Sequence, residues 1–427
     1  MNEKNSKPAA WLACILCDAT YTINAERYRC DCQGLLEVKR PREHFNASQI
    51  ETFDQRKSDA RSVLDQSGVW RFREAVLDTN ENEIVSHPEG ATRLYQRDSI
   101  NHFAGLRKLY FKHEGENPTG SFKDRGMTVA VTQAMRMGKK TVACASTGNT
   151  SASLAAYAAQ ANLKSIVFVP DGQIANGKLA QTLAYGVRIL KVRGDFDVAM
   201  KLVFEACRTL GIYLVNSINP FRIEGQKTIV WELLQDLKWH APHWIALPGG
   251  NLGNTSAFGK AISEAYDAGW IARKPRLCVV QAHGANPFFR SYLNQFRNYE
   301  AVKAQTIASA IRIGNPVSFD KAKRAILETN GIVAEVTDEE LMHAKRMIDS
   351  AGIGCEPASA CSLAGVKKLR DQGVIEEHES VVCVLTGHLL KDADVLLSPP
   401  YNQVYETQIK TIEPTVSAVE QALANHD

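Results

Sequence analysis

No apolar run in this chain approaches the roughly 20 residues that a membrane-spanning helix needs, so a soluble protein with no membrane partner is expected. Cysteine is scarce as well. Ten are present in 427 residues, six of them scattered singly, which is too few for a disulfide scaffold and fits a reducing, cytoplasmic setting. An excess of either charge is missing too: 50 Lys and Arg against 47 Asp and Glu leave a formal net charge of +3, which argues against a nucleic-acid partner held by charge. The sequence contains neither an internal repeat nor a low-complexity tract. With 44% apolar and 23% charged residues it has the composition of a folded globular protein, and its length implies two domains with a small appended module.

The start, "MNEKNSKPAAWLACILC", imitates a signal peptide, with lysines before a short apolar run. That run is barely long enough and passes straight into a cysteine pattern, so secretion is not expected. The pattern is Cys14-x-x-Cys17, twelve residues, then Cys30-x-Cys32. Two close thiol pairs supply the four soft ligands of a structural zinc, and such a clip folds a segment that lacks its own core. The tight second pair leaves a metal-free ribbon equally open.

From about residue 141 onward, short β-rich runs alternate with helical stretches. The runs are "TVACAS", "SIVFVP", "RILKV", "IYLVN", "HWIALP", "LCVVQA", "IVAEV" and "VVCVLT"; between them lie segments such as "SASLAAYAAQAN", "DFDVAMKLVFEACRTLG", "TSAFGKAISEAYDAG" and "TDEELMHAKRMIDSAG". Buried valine- and isoleucine-rich runs alternating with helices imply an α/β fold of open, largely parallel twisted sheets with helices on both faces. In such sheets ligands bind beyond the carboxyl ends of the strands, so the loops there deserve reading first. The residues after "SPPYNQ" read as a polar tail with one helix.

Four of those loops carry chemistry. "STGNTS", residues 146–151, places four hydroxyls and an amide at a helix start, more than a cap needs and suited to an anion such as a carboxylate. "GGNLGN", residues 249–254, lets backbone N–H groups approach a phosphate, without the spacing of a dinucleotide fold or a P-loop. "NSINPFR", residues 216–222, adds an amide, a hydroxyl and a guanidinium fork for a second anion, though alone it reads as a surface turn. Thr386 ends a strand and offers one hydroxyl to a cleft. Upstream, "HEGENPTGSFKDRGM", residues 113–127, sets Lys123 among small residues. Read in isolation it is an exposed helix-start lysine paired with Asp124 or a nearby glutamate.

Taken together and in this order, "NPTGSFKDRG", "ASTGNTSA", "NSINPFRIEGQKT", "PGGNLGN" and "TGHLLKD" resemble the fold-type II family of pyridoxal-phosphate enzymes, and within it the threonine synthases. The resemblance covers about residues 70–400 and the cysteine-bearing start. A departure is Leu389, where the family often has glycine. The resemblance implies that Lys123 is the Schiff-base lysine and the catalytic base, with Phe122 beside the pyridine ring and Asn149 on the cofactor's phenolic oxygen. It makes Gly249, Gly250, Asn251, Leu252, Gly253 and Asn254 the phosphate cradle and Thr386 the partner of the pyridine nitrogen. Ser146, Thr147, Asn149 and Thr150 would receive the substrate's α-carboxylate; Asn216, Ser217 and Arg222 would receive its phosphate. Cys14, Cys17, Cys30 and Cys32 remain the candidate zinc ligands.

The implied domains are a cysteine-rich segment at 1–40, a large cofactor-binding domain from 41–128 and 226–400, a small closing domain at 129–225, and a tail at 401–427. The implied reaction turns O-phospho-L-homoserine and water into L-threonine and phosphate by γ-elimination and β-addition, with pyridoxal 5'-phosphate as cofactor and a homodimer as the assembly. Burial and nearby positive charge are expected to lower the pKa of Lys123. Rivals on the same fold are a cysteate synthase and a threonine or serine dehydratase; the rival from another class is a non-catalytic cofactor-binding regulator.

Overall fold

The computed structural model describes residues 9–171, 176–194, 196–397, 399, 401 and 411–424. Parts of three expected features therefore lie outside the described residues: the first eight residues of the signal-like start, Asp195 at the head of one helical stretch, and residues 402–410 and 425–427 of the tail. The tail's one helix is found at Val416–Ala424. Met1–Lys391 and Asp392–Asp427 are separate compact units.

All eight β-rich runs form strands, and among the described residues five further strands precede them. In chain order these are β1 (Trp11–Cys14), β2 (Thr20–Thr22), β3 (Leu36–Lys39), β4 (Leu94–Tyr95), β5 (Lys108–His113), β6 (Thr141–Ala145), β7 (Lys164–Pro170), β8 (Arg188–Val192), β9 (Tyr213–Leu214), β10 (Trp244–Pro248), β11 (Arg276–Ala282), β12 (Ile332–Val336) and β13 (Ser380–Leu385). The first three make an antiparallel ribbon in the order β2-β1-β3. A six-stranded sheet runs β12-β11-β10-β13-β5-β4, parallel except for β4 at its edge. A four-stranded, wholly parallel sheet runs β8-β7-β6-β9. Two mostly parallel sheets with helical crossovers are the α/β architecture that the alternation of runs implied.

Burial explains the pattern. Every residue of β10 is buried, as a strand covered on both faces requires. The core around the larger sheet includes Trp70, Phe72, Trp231 and Trp270; the Trp231 and Trp270 rings meet edge to face at 5.3 Å. A second core gathers Met127, Val131, Leu154, Tyr157 and Tyr213 around the smaller sheet. The ribbon packs Leu35, Ile15 and Tyr28 into a third cluster with Phe168, Val203 and Leu214. None of the helices among the described residues is long and apolar enough to cross a membrane.

The chain passes between the two larger sheets inside helices. The helix Lys123–Arg136 leads into the smaller sheet and Pro220–Gln226 leads out of it, so the expected boundaries at 128/129 and 225/226 fall within helices. Those two helices cross backbone to backbone. A Cβ on Gly225 would lie 1.7 Å from the Arg125 carbonyl oxygen, and one on Gly126 would lie 2.9 Å from that of Arg222. Only glycine permits this approach.

Candidate active site

Lys123 opens its helix, and its acidic neighbours are committed elsewhere. Asp124 accepts from the Thr119 N–H at 2.7 Å and from Thr119 Oγ1 at 2.6 Å, while Glu114 and Glu232 take the buried Arg125 at 2.7 and 2.8 Å. No hydrogen bond or ion pair among the described residues engages Lys123 Nζ, which lies 4.0 Å from the centroid of the Phe122 ring. The helix-start reading, in which Asp124 or a glutamate pairs with the lysine, is thereby set aside. Burial of its amine and the Arg222 guanidinium lower its pKa to about 7, while Glu356 opposes the shift.

The lysine loop is tied to the end of β13. Phe122 donates its N–H to the Thr386 carbonyl at 3.0 Å, and Ser121 forms a β-bridge with Gly387. Thr386 Oγ1 lies 3.0 Å from Ser359 Oγ and donates to Glu356 Oε1 at 3.3 Å. Glu356 precedes the helix Pro357–Asp371 but makes no capping bond to it. Its carboxylate instead accepts from Asn149 Nδ2 at 3.0 Å, which joins the loop after β6 to the loop after β13. Glu356 was missed by sequence reasoning, because an acid before a proline-started helix reads as an ordinary cap.

The loop after β6 holds Ser146, Thr147, Asn149 and Thr150, all half-buried, at the start of the helix Asn149–Gln160. Ser146 Oγ accepts from the Gly148 N–H at 3.2 Å and fixes the turn. The loop after β9 divides its expected ligands. Asn216 commits its amide to Ala145, accepting from its N–H at 2.9 Å and donating to its carbonyl at 3.1 Å, so its part is to hold two strand ends together. Ser217 Oγ accepts from Asn251 Nδ2 at 2.9 Å, which joins this loop to the one after β10.

Arg222 is 1% exposed, and only its Nη1 has a partner, the Val215 carbonyl at 3.2 Å. Its Nε and Nη2 are buried without any. Burial without a countercharge brings this guanidinium down to about 10. A buried fork with two idle donors is costly unless an anion completes it.

After β10 the Gly249 N–H bonds to the Val280 carbonyl at 2.7 Å, so the free donors of the cradle begin at Gly250. Leu252 turns into the left-handed region at φ +62, and Gly253 and Asn254 start a helix whose N–H groups face outward from its end. Both amide atoms of Asn254 and Thr255 Oγ1 are buried without partners. A Cβ on Gly250 would come 3.1 Å from Ile311 Cα, and one on Gly249 2.8 Å from Val279 Cγ1. These orphaned polar atoms at a helix start have the donor chemistry of a phosphate site.

In the ribbon, the Sγ atoms of Cys14, Cys17, Cys30 and Cys32 all lie within 4.8 Å of one another. Neighbouring sulfurs are 3.4 to 3.5 Å apart. A tetrahedral zinc with bonds of about 2.3 Å needs sulfur separations of about 3.8 Å, so small side-chain shifts would admit one.

Residues 85–387 match the family described as "Pyridoxal-phosphate dependent enzyme". The threonine synthase of Methanocaldococcus jannaschii is 44% identical over 386 residues, covering 90% of this chain and 93% of that protein. That of Methanosarcina acetivorans is 45% identical over 390 residues, with the same two coverages, 90% and 93%. The crystal structure of threonine synthase from Escherichia coli superposes with a TM-score of 0.67 at 17% identity over 98% of this chain and 100% of that one, a likeness of fold alone.

Proposed function

The chain belongs to the pyridoxal-phosphate dependent enzymes, and from that premise we propose that it is a lyase converting O-phospho-L-homoserine and water into L-threonine and phosphate. The observation that carries the choice of substrate is Arg222: a buried guanidinium with two unpartnered donors, beside a lysine whose pKa it lowers. A dehydratase has no phosphate to offer it. The residues fit the cofactor as well. Lys123 would carry it, Phe122 lie beside its ring, Asn149 meet its phenolic oxygen, Gly250 to Asn254 hold its phosphate with Gly249 shaping the turn, and Thr386 face its pyridine nitrogen.

When bound, the cofactor supplies an electron sink that acidifies the hydrogens on the substrate's Cα and then Cβ. The chain's own residues do the rest. The hydroxyls and N–H groups of Ser146, Thr147 and Thr150 hold the α-carboxylate at the helix start, and Arg222 and Ser217 hold the phosphate, with Asn216 fixing that loop. Lys123, freed by the substrate amine, is about half in its base form at pH 7; it takes the Cα proton, passes it to the substrate phosphate, then takes the Cβ proton as hydrogen phosphate leaves Cγ with the C–O bonding pair. It returns a proton to Cγ, and water adds its hydroxyl at Cβ and its proton at Cα. Water must be kept out until that last addition. We therefore assign residues 129–225 as a small domain that closes over the substrate; equal interdomain angles with and without bound substrate analogue would reject the closure.

Structural zinc at Cys14, Cys17, Cys30 and Cys32, a homodimeric assembly and a cytoplasmic setting complete the reading. The compact thiol cluster supports the first; the resemblance supports the other two, and sedimentation tests the dimer. The deciding assay measures phosphate release and threonine formation with phosphohomoserine and phosphoserine side by side. Turnover of phosphoserine alone would move the assignment to a cysteate synthase.

A further inference from the structure

We propose that Gln226 is a further ligand of the cofactor's phosphate, and that it links the cradle to the helix carrying Arg222; this rests on the reading that pyridoxal phosphate seats its phosphate at Gly250 to Asn254. Gln226 ends the helix Pro220–Gln226, one turn beyond Arg222 and on the same face. It is 3% exposed, yet its Oε1 is buried without a partner. The amide spans the gap between two helix starts. Its Nε2 lies 3.0 Å from where a Cβ on Gly126 would be, and its Oε1 3.5 Å from where one on Gly253 would be. Gly126 belongs to the first turn of the Lys123 helix and Gly253 opens the helix of the cradle.

Beside Gly253 stand the other orphaned groups, both amide atoms of Asn254 and Thr255 Oγ1. Unpartnered buried polar atoms are rare in folded proteins, and several around one helix start share a missing partner. A dianionic phosphate there needs donors. A half-turn about the last side-chain bond of Gln226 exchanges its oxygen for its NH2, which presents two N–H donors toward Gly253 and moves the oxygen toward the positive end of the Lys123 helix. The rotated amide thus offers both of its N–H donors to the phosphate. A glutamine that only fills space between Gly126 and Gly253 would have no preference for a phosphate-bearing ligand.

That difference is measurable by titrating the apo-protein with pyridoxal 5'-phosphate and, separately, with pyridoxal, following the absorbance change on reaction with Lys123. The wild-type ratio of the two dissociation constants gives the worth of the phosphate. In Gln226→Met, which keeps the length but loses the amide, binding of pyridoxal phosphate should weaken roughly ten- to a hundredfold. Binding of pyridoxal should stay within about twofold, since no contact to a charged group is lost there. Equal weakening of both ligands, or no weakening of either, overturns the proposal. If Gln226→Met does not fold, Gln226→Glu keeps the polar shape and adds a charge that repels the phosphate. Its ratio should then fall at least tenfold below the wild-type ratio at about pH 8, where the carboxyl is ionised, whereas a wild-type ratio refutes a contact. A wild-type chain that binds pyridoxal as well as pyridoxal phosphate instead removes the parent reading of the cradle, and this one with it.

Discussion

A lysine amine captures a carbonyl compound only as the free base, and an ordinary lysine titrating near 10.5 is almost wholly protonated at neutral pH. Lys123, brought to about 7 by burial and by Arg222, is half free there. The sign follows directly: below about 7 the amine is charged and idle, and above it the base form is complete. The rate at which apo-protein captures pyridoxal phosphate should therefore rise with pH through a midpoint near 7 and then level off, in stopped-flow absorbance. Removing a neighbouring cation favours the charged amine, so Arg222→Met should move that midpoint upward, whereas Glu356→Gln should move it downward. Arg222→Met should also cost about 2–5 kcal/mol of substrate binding, or roughly 30- to 5000-fold in kcat/KM. The same variant should melt higher than wild type without ligand, since it removes a buried, uncompensated cation. Lys123 and Arg222 could be picked out from their company in sequence. Glu356, Gln226 and Thr255 could not, because an isolated acid, amide or hydroxyl looks alike whether it caps a helix, packs a core or faces a ligand.

Elements place these groups through close approach and not through propensity. The Lys123–Arg136 and Pro220–Gln226 helices meet at Gly126 and Gly225, where the clash of a new Cβ with the Arg125 backbone leaves no room to relax. Gly225→Ala should destabilise by about 1–3 kcal/mol or more and weaken cofactor capture, read by chemical denaturation and by the absorbance titration. Gly148→Ala is the control, since nothing lies within 4 Å of its Cβ position; it should fold as wild type does. The alternation of β-rich and helical runs made these elements legible from about residue 141 onward, with all eight strands where the runs stand. The short β4 at a sheet edge and the ribbon strands carry too few residues for periodicity to register.

At the scale of the whole molecule, the ribbon is fastened to elements of both larger sheets. Toward the larger one, Arg40 pairs with Glu224 at 2.6 Å and Lys321 Nζ donates to the Leu36 carbonyl at 2.7 Å. Toward the smaller one, the Leu214 N–H donates to Tyr28 Oη at 2.8 Å and Gln133 Nε2 to Asn24 Oδ1 at 3.2 Å. Metal analysis should find about one zinc per chain, and a chelator, or Cys17→Ser, should lower the melting temperature. An unchanged melt with no bound metal would make the thiols a bare ribbon. By itself the sequence determined the alternating strands and helices, the polar residue types offered by each loop and the family, because periodicity, turn residues and motif order are local properties written along the chain. Only the tertiary structure decided that Asn216 is committed to Ala145 while Arg222 is left with idle donors, and that Glu356 bridges Asn149 and Thr386. Those outcomes depend on which groups residues 71 or 207 positions apart present to one another once two sheets and a ribbon have packed.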